Sequence, residues 1–174
     1  DDYLYAGFFE KDINRATIND LNNSEAIVIW SEDLKENLPV LYLRVRQAVK
    51  NGAKLIVFGH SNSTLKDVAD FYYSEDIVSE NFEIIKDISK LKGLKEHVKD
   101  KNVTAIIGKS TPYQLDENLD KLVSYLVENS NLKIMNSFSS GNTFGAINNL
   151  DNVKNLRDFT KNVSSENTDL LFVV

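Results

Sequence analysis

The sequence predicts a doubly wound α/β fold with a mostly parallel sheet of about five strands. Short apolar runs rich in β-branched residues recur along the chain, and most of these runs are continuous rather than alternating. Continuous apolarity indicates strands that are buried on both faces, as in a parallel sheet between two layers of helices. Helical patterns alternate with these runs, which favours right-handed crossovers. The predicted strands are 26–30, 54–58, 103–107, 132–135 and 170–174.

The clearest helical pattern lies between the first two strands. Apolar residues recur at spacings of three and four over 38–49, and Pro39 suits the first turn because a helix tolerates proline there. Asn51-Gly52 then supplies a left-handed stop. Three further helices are predicted. One opens with a capping box at Thr17, one begins near Asp116, and one spans 84–94.

Composition excludes several functional classes. The 174 residues carry a net charge of −6, which disfavours a surface built for nucleic acid or anionic lipid. The absence of cysteine excludes a disulfide framework, a thiolate metal site and a cysteine-ligated cluster in this sequence. No apolar run reaches the length that spans a bilayer. Because the final apolar run looks like a strand with no loop after it, we expect 1–174 to be a single α/β domain cut from a longer subunit.

The loops after the first two strands hold the candidate site. In an open α/β sheet, ligands bind outside the carboxyl ends of the strands, so the residues that follow each strand are the ones to consider. Two adjacent carboxylates follow the first strand, and they have an alternative role as caps of the next helix. The candidate residues are Ser31, Glu32, Asp33, Gly59, His60, Ser61 and Asn62.

Two other motifs point to chemistry. Gly108-Lys109-Ser110-Thr111 matches the end of a P-loop, but Val103 stands where that motif needs its first glycine. The run 59–63 resembles a nucleophile elbow with Ser61 as nucleophile, and the one later histidine that could accept its proton is His97. A serine hydrolase that uses Ser61 is therefore a further alternative. The sequence offers neither a dinucleotide-binding fingerprint nor a metal-ligand cluster.

Several motifs together resemble a known family. They are Ala16-Thr17-Ile18-Asn19-Asp20-Leu21, Glu25-Ala26-Ile27-Val28-Ile29, Pro39-Val40-Leu41-Tyr42-Leu43-Arg44-Val45-Arg46-Gln47-Ala48-Val49 and Asn51-Gly52-Ala53-Lys54-Leu55-Ile56-Val57. In order and spacing this stretch resembles the nucleotide-binding-like α/β domain of the molybdopterin oxidoreductases. A second stretch, 140–147, resembles a later turn of the same family.

The two loops of the candidate site depart from the family pattern. Where the family has G-x-N-P, this chain has Trp30-Ser31-Glu32-Asp33, and its D-P-R-like loop is here Gly59-His60-Ser61-Asn62. In members that carry the cofactor these loops contact the pterin guanine dinucleotide. Here its phosphates would meet two carboxylates and no arginine. The resemblance therefore implies a crevice that has lost its ligand.

One branch of the family shares this departure, namely the large iron–sulfur subunit of NADH:quinone oxidoreductase (respiratory complex I). Resemblance to that branch implies a non-catalytic domain that supports electron transfer through assembly with other subunits. It also implies a cytoplasmic location peripheral to the membrane, no cofactor in this chain, and iron–sulfur clusters elsewhere in the parent subunit. The main alternative is a retained pocket for a nucleotide or for molybdopterin guanine dinucleotide.

Overall fold

A computed structural model describes residues 14–59, 63–74, 91, 94–108 and 116–137. All of them belong to one compact unit, Asp12–Ser137. The elements of this unit in chain order are a 3-10 helix Ile18–Asn23, β1 Ala26–Trp30, α1 Leu34–Asn37, α2 Pro39–Lys50, β2 Lys54–Gly59, β3 Phe71–Ser74, α3 Leu94–Val98, β4 Asn102–Ile107, α4 Asp116–Asn129 and β5 Asn131–Asn136.

The strands form one five-stranded sheet in the order β3-β2-β1-β4-β5. Every pair of neighbours is parallel, which confirms the predicted fold class. From β1 the chain moves outward to β2 and β3, and it then returns to place β4 and β5 on the other side of β1. The direction of winding therefore reverses between β1 and β4. Trp30 at the end of β1 lies level with Phe58 of β2 and Ile107 of β4.

Both faces of the central strands β1, β2 and β4 are covered, as the continuous apolar runs predicted. Ile27 and Ile29 belong to a core cluster that includes Leu41, Val45 and Ala48 of α2. Neighbouring residues of β1 point to the opposite face, because side chains alternate along a strand. α4 contacts β5 and buries the stripe Leu119, Leu122, Val123 and Leu126. None of the described helices is long and apolar enough to cross a membrane.

The helix α2 confirms its sequence signals. Pro39 occupies the first turn, and the helix ends where Gly52 adopts a left-handed φ of 110°. That conformation costs glycine little, and it lets Ala53 N–H donate to Ala48 O at 3.1 Å as the chain turns into β2. The other predicted starts, at Thr17 and near Asp116, are confirmed as well.

The described sheet contains one strand that the sequence did not predict. Four predicted strands are confirmed to within a residue or so at each end, whereas 170–174 and most of the predicted helix 84–94 lie outside the described residues. The fifth strand observed is β3, which the sequence analysis did not assign. Asp70 fixes this edge strand, because its N–H donates to Leu55 O at 2.9 Å while its carboxylate accepts from Leu55 N–H at 2.9 Å and Lys54 Nζ at 2.7 Å.

Asp20 ties the 3-10 helix to the edge of the sheet. Its carboxylate accepts from Lys133 Nζ of β5 at 2.6 Å and from both N–H and Oγ1 of Thr17 at 2.7 Å. The hydrogen bond from Lys133, followed by those from Thr17, holds the pKa of Asp20 well below its usual range. The sequence pattern predicted the capping box, whereas Lys133 comes from a strand 113 residues away.

We expect acid to weaken the protein partly through Asp20. A carboxylate whose pKa is lower in the folded state stabilises the fold above its unfolded pKa of about 3.9, and this contribution is lost as the pH falls through the folded pKa. In urea unfolding at pH 7 and pH 3, Asp20→Asn should lose less stability on acidification than the wild-type chain. The control Asp67→Asn, at an exposed carboxylate, should follow the wild type. Equal losses in Asp20→Asn and the wild type would contradict the assignment.

Candidate functional site

The candidate site lies where the strands β1, β2 and β4 end together. Gly108 N–H donates to Trp30 O at 2.8 Å, and Ser31 N–H donates to Phe58 O at 2.8 Å. These bonds continue the parallel hydrogen-bond ladder one residue beyond the ends of β4 and β1. The reversal of winding between β1 and β4 is the topological switch point, where an open α/β sheet places a ligand.

Glu32 packs against Gly108 at this switch point. A Cβ atom added to Gly108 would lie 2.5 Å from Glu32 Cβ, 2.6 Å from Ser31 O and 2.7 Å from Glu32 Oε2. Only glycine fits at position 108, because Ser31 O is a backbone atom and Glu32 Cβ is bonded directly to the backbone, so neither atom can rotate away. Glu32 is 7% exposed, and its Oε1 accepts from Asn37 Nδ2 of α1 at 2.7 Å. The carboxylate side chain thus fills the space between the ends of β1 and β4.

The backbone at Ser31 turns Glu32 toward β4. Ser31 has a φ of 51°, in the left-handed region that residues other than glycine seldom adopt. This conformation costs an L-residue roughly 1–2 kcal/mol, so the surrounding contacts must hold it. Ser31 is itself buried. The turn at Ser31 therefore belongs to the same packed arrangement as the Glu32–Gly108 contact.

Asp33 is engaged in local structure. It is the N-cap of α1, and its Oδ1 accepts from Lys35 N–H at 3.2 Å. The same carboxylate accepts from Thr64 Oγ1 at 2.9 Å and Thr64 N–H at 3.3 Å, which joins the loop after β1 to the loop after β2. The capping role considered for the adjacent carboxylates is confirmed for Asp33.

Replacing Asp33 should loosen the two loops it joins. Asp33→Ala removes the helix cap and both acceptors for Thr64, so we expect the free energy of unfolding to fall by about 1–2 kcal/mol. Asp33→Asn keeps one acceptor oxygen and should cost less than half as much. Urea unfolding of the two variants measures this, and equal losses would show that the hydrogen bonds are not the stabilising feature.

Aromatic side chains line one face of the sheet at the same level. Trp30, Phe58 and Tyr73 share one row across β1, β2 and β3, with ring centroids 5.3 Å apart for the first pair and 4.9 Å for the second. Burial raises the pKa of the Tyr73 hydroxyl. The row continues through Ile107 to Asn136. Among the described residues, neither Trp30 Nε1 nor Asn136 Oδ1 has a hydrogen-bond partner, although both atoms are buried.

Comparison with models of protein families identifies the family of this chain. The family model of molybdopterin oxidoreductase matches residues 4–155. This chain belongs to the molybdopterin oxidoreductase family. A search of curated proteins found no match. The matched range includes the whole described sheet of the molybdopterin oxidoreductase domain and its switch point, which confirms the resemblance at the level of the family.

The structure brings together four of the seven candidate residues of the molybdopterin oxidoreductase domain. Ser31, Glu32 and Asp33 follow β1, and Gly59 ends the neighbouring β2 at the same edge. The other three candidates, 60–62, lie outside the described residues, as do 109–111 of the P-loop-like motif. Within the described part of the chain, no cluster of His, Asp and Glu could hold a metal ion.

His97 lies away from this edge. It belongs to α3, and its ring is 5.2 Å from that of Phe71, the first residue of β3. Phe71 pairs with Ile56 in the middle of β2, three residues before Gly59. The structure therefore gives no support to a pairing of His97 with a nucleophile beyond the carboxyl end of β2.

Sequence reasoning missed the partners of the two carboxylates. The sequence places Gly108 at the start of a phosphate-loop-like motif, whereas the structure shows that Gly108 leaves room for Glu32. The sequence does contain a signal for this contact, since a glycine directly after a buried strand often marks a position where another part of the chain approaches the backbone closely. Asn37 and Thr64 gave no signal, because a single amide or hydroxyl in a loop can serve many roles.

Proposed function

We propose that this domain is a non-catalytic, structural part of the large subunit of an NADH:quinone oxidoreductase of the complex I type. It supports electron transfer by helping the subunits to assemble, and it carries no molybdenum cofactor. Its membership of the molybdopterin oxidoreductase family supports the oxidoreductase assignment. The finer assignment follows from the resemblance and from the chemistry of the switch point.

The Glu32–Gly108 contact carries this proposal. A dinucleotide bound at the switch point must approach the backbone between β1 and β4, and the close approach at Gly108 is already taken by a side chain of the chain itself. Asn37 and Thr64 bind the carboxylates of Glu32 and Asp33. The two carboxylates at this edge are thus bound by side chains of the domain itself.

Charge favours the same conclusion. The segments 30–33 and 59–62 contain two carboxylates and no lysine or arginine. A diphosphate placed beside Glu32, which is buried, would meet like charge in a medium that screens poorly. A site that binds phosphate usually supplies arginine, lysine or free backbone N–H groups. The charge of the segments 30–33 and 59–62 therefore disfavours the cofactor of the related enzymes.

Fluorescence of Trp30 tests the loss of the cofactor. Trp30 is the only tryptophan of the chain and lies at the end of β1, beside the switch point. Titration with GDP, NADH and molybdopterin guanine dinucleotide should leave its emission unchanged after correction for absorption. Free N-acetyltryptophanamide titrated in the same way provides that correction, because its emission changes only through absorption by the ligand. A saturable change with the guanine dinucleotide would overturn the proposal.

Variants of the intact parent enzyme test the structural role. Glu32→Gln keeps the shape of the side chain and removes its charge, and it should leave NADH:quinone turnover per assembled complex unchanged. Gly108→Ala should reduce the amount of assembled complex on native gels while the turnover of the remaining complex stays normal. A lower turnover per complex in Glu32→Gln would show that the site takes part in the chemistry.

One observation favours a second candidate, a domain that still binds a nucleotide or a pterin dinucleotide. Trp30 Nε1 and Asn136 Oδ1 are a buried donor and a buried acceptor on the same row of the sheet, and the described residues satisfy neither. A nucleobase or an ordered water could supply the missing hydrogen bonds. The Trp30 titration distinguishes the two, because a ligand that binds the indole N–H changes its emission.

A further inference from the structure

The outer face of α2 carries an exposed apolar pair. Leu41, Val45 and Ala48 face the sheet, whereas Val40 is 67% exposed and Leu43 is 62% exposed. These two are the most exposed large hydrophobic side chains in the described part of the chain. Residues three apart on a helix are neighbours on its surface, so Val40 and Leu43 form one continuous apolar patch.

Basic side chains surround this pair. The charged residues of α2 are Arg44, Arg46 and Lys50, and the helix contains no acidic residue. All three are exposed, and none forms an ion pair with a described residue. The guanidinium of Arg46 lies 5.7 Å from the centre of the Tyr42 ring, which holds it beside the helix. In a chain of net charge −6, α2 is a local concentration of positive charge.

We propose that the α2 patch, defined as Val40, Leu43, Arg44, Arg46 and Lys50, docks onto an acidic surface of another protein. An apolar centre with arginine around it is the usual composition of a protein interface. Cations that form no ion pair with a described residue gain most from carboxylates on the other side, and such complementarity also steers association. This inference does not depend on whether the switch point binds a ligand.

An acidic protein surface fits better than a membrane. A helix that lies in a bilayer buries a broad apolar face, but the broad apolar face of α2 is already packed against the sheet. Two exposed apolar side chains are too few to hold the domain on lipid. They suffice as the centre of a small interface when charged pairs surround them.

A labelled peptide tests the α2 patch on the whole chain. The probe is a synthetic fluorescein-labelled peptide in which Glu and Asp alternate with Leu and Phe, and its control carries Lys in place of the acids. Fluorescence anisotropy should show binding of the acidic peptide only, with affinity falling as salt is raised. The double change Arg44→Glu and Arg46→Glu should weaken binding by about tenfold or more, and Leu43→Ser by about threefold.

Val127→Ser is the matched control, because Val127 is an exposed apolar residue on α4 rather than α2. It should leave peptide binding unchanged, and circular dichroism confirms that each variant is folded. Equal binding of both peptides, or equal binding by all variants, would overturn the proposal. So would binding of phosphatidylglycerol vesicles without binding of the peptide, which would indicate a membrane site. A dimer in solution that Leu43→Ser dissociates, again without peptide binding, would indicate self-association instead.

Discussion

Gly108→Ala is expected to lower the free energy of unfolding by about 3 kcal/mol or more. The new methyl carbon would lie 2.5 Å from Glu32 Cβ and 2.6 Å from Ser31 O, distances that real Cβ atoms essentially never show. Ser31 O belongs to the backbone, so relief requires β1 and β4 to separate at their carboxyl ends. Urea unfolding followed by circular dichroism measures the loss.

Gly59→Ala is the matched control for Gly108→Ala. Gly59 ends the neighbouring strand β2, but a Cβ there would meet Tyr72 Oη at 3.1 Å, at the tip of a side chain that can shift. We expect a cost of about 1 kcal/mol or less. Adding Glu32→Gly to Gly108→Ala should restore only part of the lost stability, since Ser31 O remains in place. If Gly108→Ala costs no more than Gly59→Ala, the ends of β1 and β4 are not closed by Glu32.

The second large effect is expected on α2. Leu41→Ala should lower the free energy of unfolding by about 2–4 kcal/mol, because Leu41 is 9% exposed and lies in the core between α2 and the sheet. Truncation removes buried methyl groups and leaves a cavity that the neighbouring strand cannot fill. Chemical denaturation measures the loss. The slope of the transition should equal that of the wild type, which shows that the unfolded state is unchanged.

Leu43→Ala is the control on the same helix. It makes the same chemical change two residues further along, at a side chain that is 62% exposed. Its cost should stay within about 0.5 kcal/mol, since alanine also favours the helix. A cost at Leu43 similar to that at Leu41 would mean that α2 is rotated, with its outer face against the rest of the protein.

The sheet and the main helices could be predicted because their signals are local. Continuous apolar runs such as 26–30 and 54–58 allow few environments other than a parallel sheet between helices, and Pro39 and Gly52 mark the ends of α2. The edge strand β3 was missed because its pairing depends on Asp70, whose carboxylate completes the ladder from outside the strand.

The sequence predicted where four of the candidate residues lie but not what they contact. The rule that ligands bind beyond the carboxyl ends of parallel strands identified Ser31 and Glu32. That Glu32 would fold back onto Gly108 depends on the left-handed turn at Ser31 and on the distance between β1 and β4. These are tertiary features, because residues 32 and 108 meet only after β4 has inserted beside β1.

Native mass spectrometry of the purified chain tests the closed switch point most directly. The chain is measured as isolated and after incubation with molybdopterin guanine dinucleotide, NADH or ATP. We expect the mass of the bare polypeptide in each case, because Glu32 occupies the approach to Gly108 and no cation stands beside it in the loops 30–33 and 59–62. A stoichiometric adduct of the guanine dinucleotide would contradict this and show that the domain still binds the cofactor of its family.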